Sequence, residues 1–296
     1  MKGRAKQLVE DERFRRIMVP AYRFAARAMV FNPGPRVLVN GMAKTGTHLA
    51  SSLLKNLPRM MFSGRHYSLA EFSRSSEKTS IGEVPDVDWK RLKKTMALVN
   101  SGQFMTSHFP GLQEIFRILR ELDYKTVVIM RDPRDVVVSS AFFITKLRRH
   151  DLHERFNVEM DDMSSRLMSC IQGLPADHNG LGMESIGHRI SMYLGWLDAP
   201  DTYICHFEDL VGTAGGGSDE RQRSEVRAIA KQVGRSLTPD EAEGVARKTW
   251  SVTSPTFRKG TIGDWQNHFE PEHKTAFKEL AGQALIELGY ENDMDW

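Results

Sequence analysis

With two cysteines, Cys170 and Cys205, among 296 residues, the sequence cannot build a disulfide framework, and a bridge-stapled secreted scaffold is excluded. Both thiols are expected as small buried hydrophobes in a reducing, cytoplasmic setting. Long apolar runs are also missing. Even Ile17 to Phe31 is broken by Pro20, Arg23 and Arg27, short of the roughly 20 apolar residues a membrane helix needs. The first turns lack the basic-apolar-small order of a secretory leader and carry Glu10, Asp11 and Glu12 beside Arg13, Arg15 and Arg16. An amphipathic helix with an Arg-rich face is expected there. Basic residues form no clustered blocks interleaved with aromatics, and the net charge is only +3, so no nucleic-acid partner is expected. A small anionic ligand suits the mild basic balance better. Repeats are absent, and the one low-complexity run, Gly215-Gly216-Gly217-Ser218, reads as a loop.

What the sequence does contain is a strand, glycine-flanked loop, helix pattern that recurs. Arg36 to Asn40 is β-branched, Gly41 to Gly46 follows, and Leu49, Leu53, Leu54 and Leu57 then share a helical face that stops at Pro58. Gln103 to Thr106 reads as a short strand before a helix at Leu112 to Leu122. Thr126 to Met130 reads as a buried strand, and Asp132-Pro133 opens a helix through Phe143. Tyr203 to Phe207 is a further strand, and Lys274 to Leu288 a closing helix. Strands alternating with helices imply an α/β fold of three layers around a central parallel sheet. The expected organisation is one domain over residues 1–296: a helical extension over 1–35, a core over 36–270, and a C-terminal helix over 271–296.

Gly41 and Gly46 have the glycine spacing of a phosphate-binding loop, in which backbone N–H groups and a helix N-terminus cradle an anion. The Lys-Ser/Thr pair that a nucleotide triphosphatase places after the second glycine is missing. Thr47-His48 stands there, and the lysine lies inside the loop as Lys44. A cation moved inward suits a shorter phosphate chain that needs no metal.

Ala43-Lys44-Thr45-Gly46-Thr47-His48 resembles the 5′-phosphosulfate loop of the cytosolic-type sulfotransferases, usually written Pro-Lys-Ser-Gly-Thr-Thr. Two more segments of that family follow in order. Arg131 to Ser139 is similar to its 3′-phosphate segment, and Phe257 to Phe269 to its C-terminal Arg-Lys-Gly-x-x-Gly-Asp-Trp signature. The resemblance implies a P-loop-like sulfotransferase fold and a donor, 3′-phosphoadenosine 5′-phosphosulfate (PAPS), that leaves as 3′-phosphoadenosine 5′-phosphate (PAP). The acceptor would be a hydroxyl, or an amine, of a small molecule or glycan.

By the same resemblance, Lys44, Thr45, Gly46, Thr47 and His48 hold the 5′ side of the donor, with Lys44 also stabilising the leaving oxygen. Arg131, Ser139, Arg258, Lys259 and Gly260 form the 3′-phosphate site, where guanidinium groups give forked, charge-assisted hydrogen bonds. His108, in Thr106-Ser107-His108-Phe109-Pro110, resembles the histidine that takes the acceptor proton, with His48 as its rival. Phe207-Glu208-Asp209-Leu210 resembles a further family segment and is read as structural.

The sequence departs from the family at three places. Leu49 stands where a tryptophan often stacks on adenine, which leaves Trp250 as the candidate stacking aromatic, with a core tryptophan as its plainer reading. Thr106 replaces a common lysine, and Glu270-Pro271 replaces a Thr-Val pair of the dimer segment, so the usual dimer contact is not carried over. His150 and His153 have helical spacing, yet a solvated charged face is expected there and no metal. Met160, Met163, Met168 and Met183 suit either an adaptable acceptor pocket or an ordinary core. Two other functions fit less well: a P-loop small-molecule kinase, against which the missing Lys-Ser/Thr counts, and a non-catalytic nucleotide-binding module, against which Lys44 and His108 count.

Overall fold

A computed structural model describes residues 18–25, 34–250 and 259–296. Among these residues five strands form one sheet: β1 (Arg36–Asn40), β2 (Met61–Tyr67), β3 (Gln103–Ser107), β4 (Tyr124–Met130) and β5 (Thr202–His206). Their order is β2-β3-β1-β4-β5, and every pairing is parallel. β1 lies at the centre, with Val37 opposite Phe104 of β3 and Lys125 of β4.

Parallel neighbours need crossovers, and helices supply them. In chain order the described α-helices between residues 34 and 296 are α1 (Thr47–Asn56), α2 (Trp89–Met96), α3 (Gln113–Glu121), α4 (Pro133–Lys146), α5 (His153–Val158), α6 (Met163–Gln172), α7 (Ile186–Leu194), α8 (Phe207–Leu210), α9 (Asp219–Gln232), α10 (Pro239–Thr249) and α11 (Pro271–Glu287), the last four following β5. Side chains alternate across each strand, so successive residues feed opposite layers. Val37 and Val39 pack with Leu53, Val226, Ile229 and Val245 on one face, whereas Leu38 packs with Met105, Ile115 and Trp196 on the other. A third cluster joins α4, α6, α7 and α11 through Val137, Ile171, Ile190 and Phe277. Full burial of each such side chain contributes about 1.5–3 kcal/mol. The result is the expected α/β architecture, a parallel sheet covered on both faces.

Several expectations are corrected. β2 was not anticipated: Gly64, Arg65 and His66 break its apolar pattern, and its register against β3 shifts between Phe62 and His66. Phe207 opens α8 instead of ending β5, because the chain turns into a helix at His206. The polar stretch after Thr145 contains α5, α6 and α7, the last two started by side-chain caps from Asp162 and Ser185. Met160 and Met183 are core residues, with Met163 and Met168 packed against the same cluster, so these four methionines fill the interior. Cys170 and Cys205 are buried thiols, and burial pushes Cys170 up to about 12.

Residues 18–25 are helical and lie against β2, the edge strand. The Tyr22 hydroxyl donates to the Phe62 carbonyl and Arg23 Nε to the Gly64 carbonyl, each at 2.9 Å. The rest of the expected N-terminal helix lies outside the described residues. Among the described residues, no helix is long and apolar enough to cross a membrane.

Candidate active site

The loop from Gly41 to Gly46 leaves the centre of the sheet and turns directly into α1. Both glycines are required by space: a Cβ on Gly41 would lie 2.5 Å from the Ile129 carbonyl, and one on Gly46 would lie 2.7 Å from the Phe207 ring. Gly46 also has φ of 109°, the left-handed region that glycine enters at no steric cost. Lys44 has φ of +77°, a strained backbone for a residue with a side chain, which turns the loop inward. Its Nζ sits 3.8 Å above the centre of the Phe143 ring, on α4. Thr47 Oγ1, at the first position of α1, is buried and has no hydrogen-bond partner among the described residues.

His108 follows β3 and meets this loop from the side. Its Nδ1 donates to the Gly41 carbonyl at 2.7 Å, because a carbonyl can only accept, and Nε2 is left to carry the lone pair. Burial drives the His108 imidazole down to about 3, and His66, His48 and Lys44 push in the same direction. His48, exposed on α1, is likewise lowered to about 4, first by desolvation and then by His66, Lys44 and Lys55. His66 was not foreseen, since it lies on the unanticipated β2. Its ring makes an edge contact with His108, centroids 4.7 Å apart.

Arg131 directly follows β4 and is buried. Its Nη2 donates to the Thr261 carbonyl at 3.0 Å and lies 3.3 Å from Asp135 Oδ2, while the guanidinium stacks 4.2 Å over Phe207. Its Nε is buried with no hydrogen-bond partner among the described residues. Asp135 is a second residue the sequence reading missed. It accepts the N–H groups of Gly263 and Trp265, each at 2.9 Å, and so fastens the Gly260 segment to α4. Ser139 is buried two turns into α4. Lys259 pairs with Asp264 at 2.9 Å, whereas Arg258 lies outside the described residues. Lys44 to His48 therefore lie between β1 and the start of α1, and Arg131 between β4 and the start of α4, with the segment after Lys259 tied to Arg131 through the Thr261 carbonyl.

Trp250, just past α10, is half-buried and packs on the same cluster as Leu49 of α1. The two positions considered for an adenine contact thus pack on one hydrophobic cluster. Glu208 takes the N–H of Asp132 at 3.0 Å, and burial pushes its carboxyl up to about 7, so it joins α8 to the start of α4. Asp209 pairs with Arg221, which matches the structural reading of that segment. His150 Nδ1 accepts the Leu152 N–H and His153 Nδ1 donates to the Ile144 carbonyl, so each ring is engaged locally.

A buried hydroxyl and a buried guanidinium nitrogen without partners among the described residues, at two helix starts beside small-residue backbone, can donate to anionic oxygens at two separate points. A nucleotide carrying both 3′- and 5′-phosphates has that charge distribution. The chain is 24% identical over 203 residues to 3-alpha-hydroxysteroid sulfotransferase of Cavia porcellus, covering 61% of this chain and 62% of that protein. It is 24% identical over 206 residues to sulfotransferase 2A2 of Rattus norvegicus, covering 62% and 64%. The chain thus spans somewhat less than two thirds of the length of these two relatives. Mouse sulfotransferase SULT7A1, solved in complex with PAP, superposes with a TM-score of 0.56 at 15% identity over 91% of each chain. Retinol dehydratase, solved with retinol and PAP, gives 0.55 at 16% identity over 90% of this chain and 86% of its own. These likenesses establish the shared fold. Because residues 34–289, most of the sequence, match the sulfotransferase domain, the chain belongs to the sulfotransferase domain family.

Proposed function

We propose that this protein is a PAPS-dependent sulfotransferase that transfers a sulfuryl group to a hydroxyl, or an amine, of a small-molecule or glycan acceptor in the cytoplasm. One observation carries the reading: among the described residues Thr47 Oγ1 and Arg131 Nε are buried and unpaired, one in each segment assigned to an end of the donor. Leaving such groups without a partner costs about 1–3 kcal/mol each, more for the charged one, and a bisphosphate nucleotide relieves both. The relative named for 3-alpha-hydroxysteroids and the neighbour solved with retinol support a small molecule over a glycan.

When bound, PAPS supplies an activated sulfuryl group and a phosphate that leaves readily. Thr45, Gly46, Thr47, His48 and the N–H groups opening α1 hold its 5′ side, and Lys44 neutralises charge on the leaving oxygen. Arg131, Ser139, Arg258, Lys259 and Gly260 hold its 3′-phosphate, with Asp135 keeping the two contributing segments together. Trp250, which packs on the same cluster as Leu49, is the aromatic available to stack on adenine. His108 takes the acceptor proton on Nε2, its tautomer fixed by the Gly41 carbonyl. Held at about 3, this ring is unprotonated at neutral pH but weakly basic, and negative charge placed beside it raises its proton affinity.

The test is release of PAP when the purified protein is given PAPS and pools of phenols, steroids, alkyl alcohols, amines and sugars. PAP is expected in at least one pool, and PAP is expected to raise the melting temperature more than 5′-AMP at equal concentration. Equal stabilisation by the two nucleotides, with no PAP released from any pool, would overturn the assignment.

A further inference from the structure

Arg134 and Asp135, neighbours in the first turn of α4, hold one residue from two sides. Asp135 accepts the backbone N–H of Trp265, while the Arg134 guanidinium lies 4.1 Å from the centre of the Trp265 ring. A second ring, Trp296, stands nearly perpendicular to the first, at 85°, and Arg134 fills the corner between them, 4.5 Å from its centre. Every nitrogen of the buried guanidinium is engaged: Nε donates to Asp132 Oδ1 at 3.0 Å, Nη2 to Asp132 Oδ2 at 2.7 Å, and Nη1 to Glu291. The mechanism above uses none of these Arg134 contacts.

We propose that Arg134 is a positioning residue for the 3′-phosphate site, and that residues 289–296 act on the donor through it. The inference rests on the sulfotransferase reading. The groups assigned to that phosphate lie on two pieces of chain far apart in sequence: Arg131 and Ser139 on one side, Lys259 and Gly260 on the other. Their separation is set by how the stretch from Lys259 to Trp265 docks on α4. Arg131 takes the Thr261 carbonyl, and Asp135 takes the Gly263 and Trp265 N–H groups. Those hydrogen bonds fix the backbone but leave the stretch free to pivot about them. The stacking of Arg134 on the Trp265 ring removes that freedom, and Arg134 is itself fixed by Asp132, which directly follows Arg131.

The C-terminal residues reach the same turn of α4 at two further points. Glu291 pairs with Arg134, and the Tyr290 hydroxyl lies 3.4 Å from Glu208 Oε2, whose other oxygen takes the Asp132 N–H. Trp296 supplies the second wall of the corner. Lysine cannot replace Arg134 there, because a compact ammonium has no planar face to lay on indole and cannot fork across both Asp132 oxygens while reaching Glu291. Coupling of this kind is reciprocal: if residues 289–296 order the phosphate site, a bound 3′-phosphate orders residues 289–296.

The experiment measures calorimetric affinity for PAP and for 5′-AMP on wild type, Arg134→Lys, Trp296→Ala and Trp296→Phe, each at a temperature where it is folded. Amide hydrogen exchange of residues 289–296 is followed in the wild type with either nucleotide at saturation. Arg134→Lys and Trp296→Ala are each expected to lower PAP affinity about 10-fold while 5′-AMP affinity changes less than about twofold, and Trp296→Phe to stay close to wild type. A merely structural role would lower both affinities together, or the melting temperature alone. Exchange in residues 289–296 is expected to slow with PAP and not with 5′-AMP. In a wild type that prefers PAP, an unchanged ratio of the two affinities in Arg134→Lys and Trp296→Ala overturns the inference alone. Should neither variant fold, equal protection of residues 289–296 by the two nucleotides overturns it. A wild type that binds PAP no better than 5′-AMP overturns the underlying reading, and the inference with it.

Discussion

Asp135 Oδ1 accepts the backbone N–H of Trp265 at 2.9 Å, a contact that crosses from the first turn of α4 to the far end of the chain. Its other oxygen takes the Gly263 N–H and faces Arg131. One buried carboxylate thereby sets the distance between two parts of the proposed 3′-phosphate site. Burial raises its proton affinity, and Arg131 and the two N–H groups offset part of that rise.

Replacing Asp135 with alanine strands two N–H groups and leaves Arg131 without its counter-charge. Stability is expected to fall by about 3–5 kcal/mol, as for a broken buried ion pair. PAP affinity is expected to fall with it, measured by calorimetry at a temperature where the variant remains folded. Unchanged PAP affinity in the folded variant would contradict the role given to Asp135.

His108 and His48 separate by what each loss disturbs. His108→Ala is expected to keep PAP affinity nearly intact and to slow single-turnover transfer by about 10²- to 10⁴-fold. His48→Ala, at the donor loop, is expected to weaken PAP binding first. Near-normal transfer by His108→Ala, with His48→Ala inactive despite normal PAP binding, would make His48 the base.

Acid should act on the fold through His108. With the folded ring held at about 3 and an unfolded histidine near 6.5, the unfolded state binds the extra proton throughout that interval. Stability therefore falls as pH drops through this window, by up to about 1.4 kcal/mol per pH unit from this one group. Glu208 has the opposite sign: raised to about 7, it keeps its proton in the fold where the unfolded chain has lost it, and stability falls as pH rises from about 4.5 to 7. Urea denaturation of His108→Asn and Glu208→Gln against wild type isolates the two. The His108→Asn difference should become more favourable to the variant as pH falls below about 6.5, and the Glu208→Gln difference as pH rises. Differences that do not change with pH would refute the burial argument.

Transfer is expected to survive exhaustive chelation, since the role proposed for Lys44 inside the loop replaces that of a metal-bound hydroxyl in a triphosphatase. Among the described residues, Glu270, Glu272 and His273 approach one another closely enough to share an ion. His273, however, accepts the Glu270 N–H on Nδ1 and lies 3.0 Å from the Ser164 carbonyl through Nε2. Activity abolished by EDTA and restored by Mg²⁺ would favour the kinase reading.

The sequence made the centre of the sheet legible because β1 and β4 are buried on both faces, with β-branched runs that end at a glycine loop or at Asp132-Pro133. β2 was hidden by the same physics in reverse. An edge strand with a register shift needs no continuous apolar face, so Gly64 and His66 disguised it, and His66 escaped notice as a site residue. The short helices α6 and α7 owe their starts to capping by Asp162 and Ser185, a weaker signal than apolar periodicity. Asp135 sat in plain view within Arg131 to Ser139, but nothing local reveals that an acid in an anion-binding segment will hold N–H groups from the distant Trp265.

The central position of β1 also dictates when the donor loop can take shape during synthesis. Val37 needs Phe104 on one side and Lys125 on the other, so an emerging chain exposes Arg36–Asn40 until both β3 and β4 have left the ribosome. The Gly41 carbonyl waits equally for His108. Such long-range pairing makes for slow folding. The apolar strand at the heart of the sheet is consequently the segment on which a nascent-chain chaperone would have most to do.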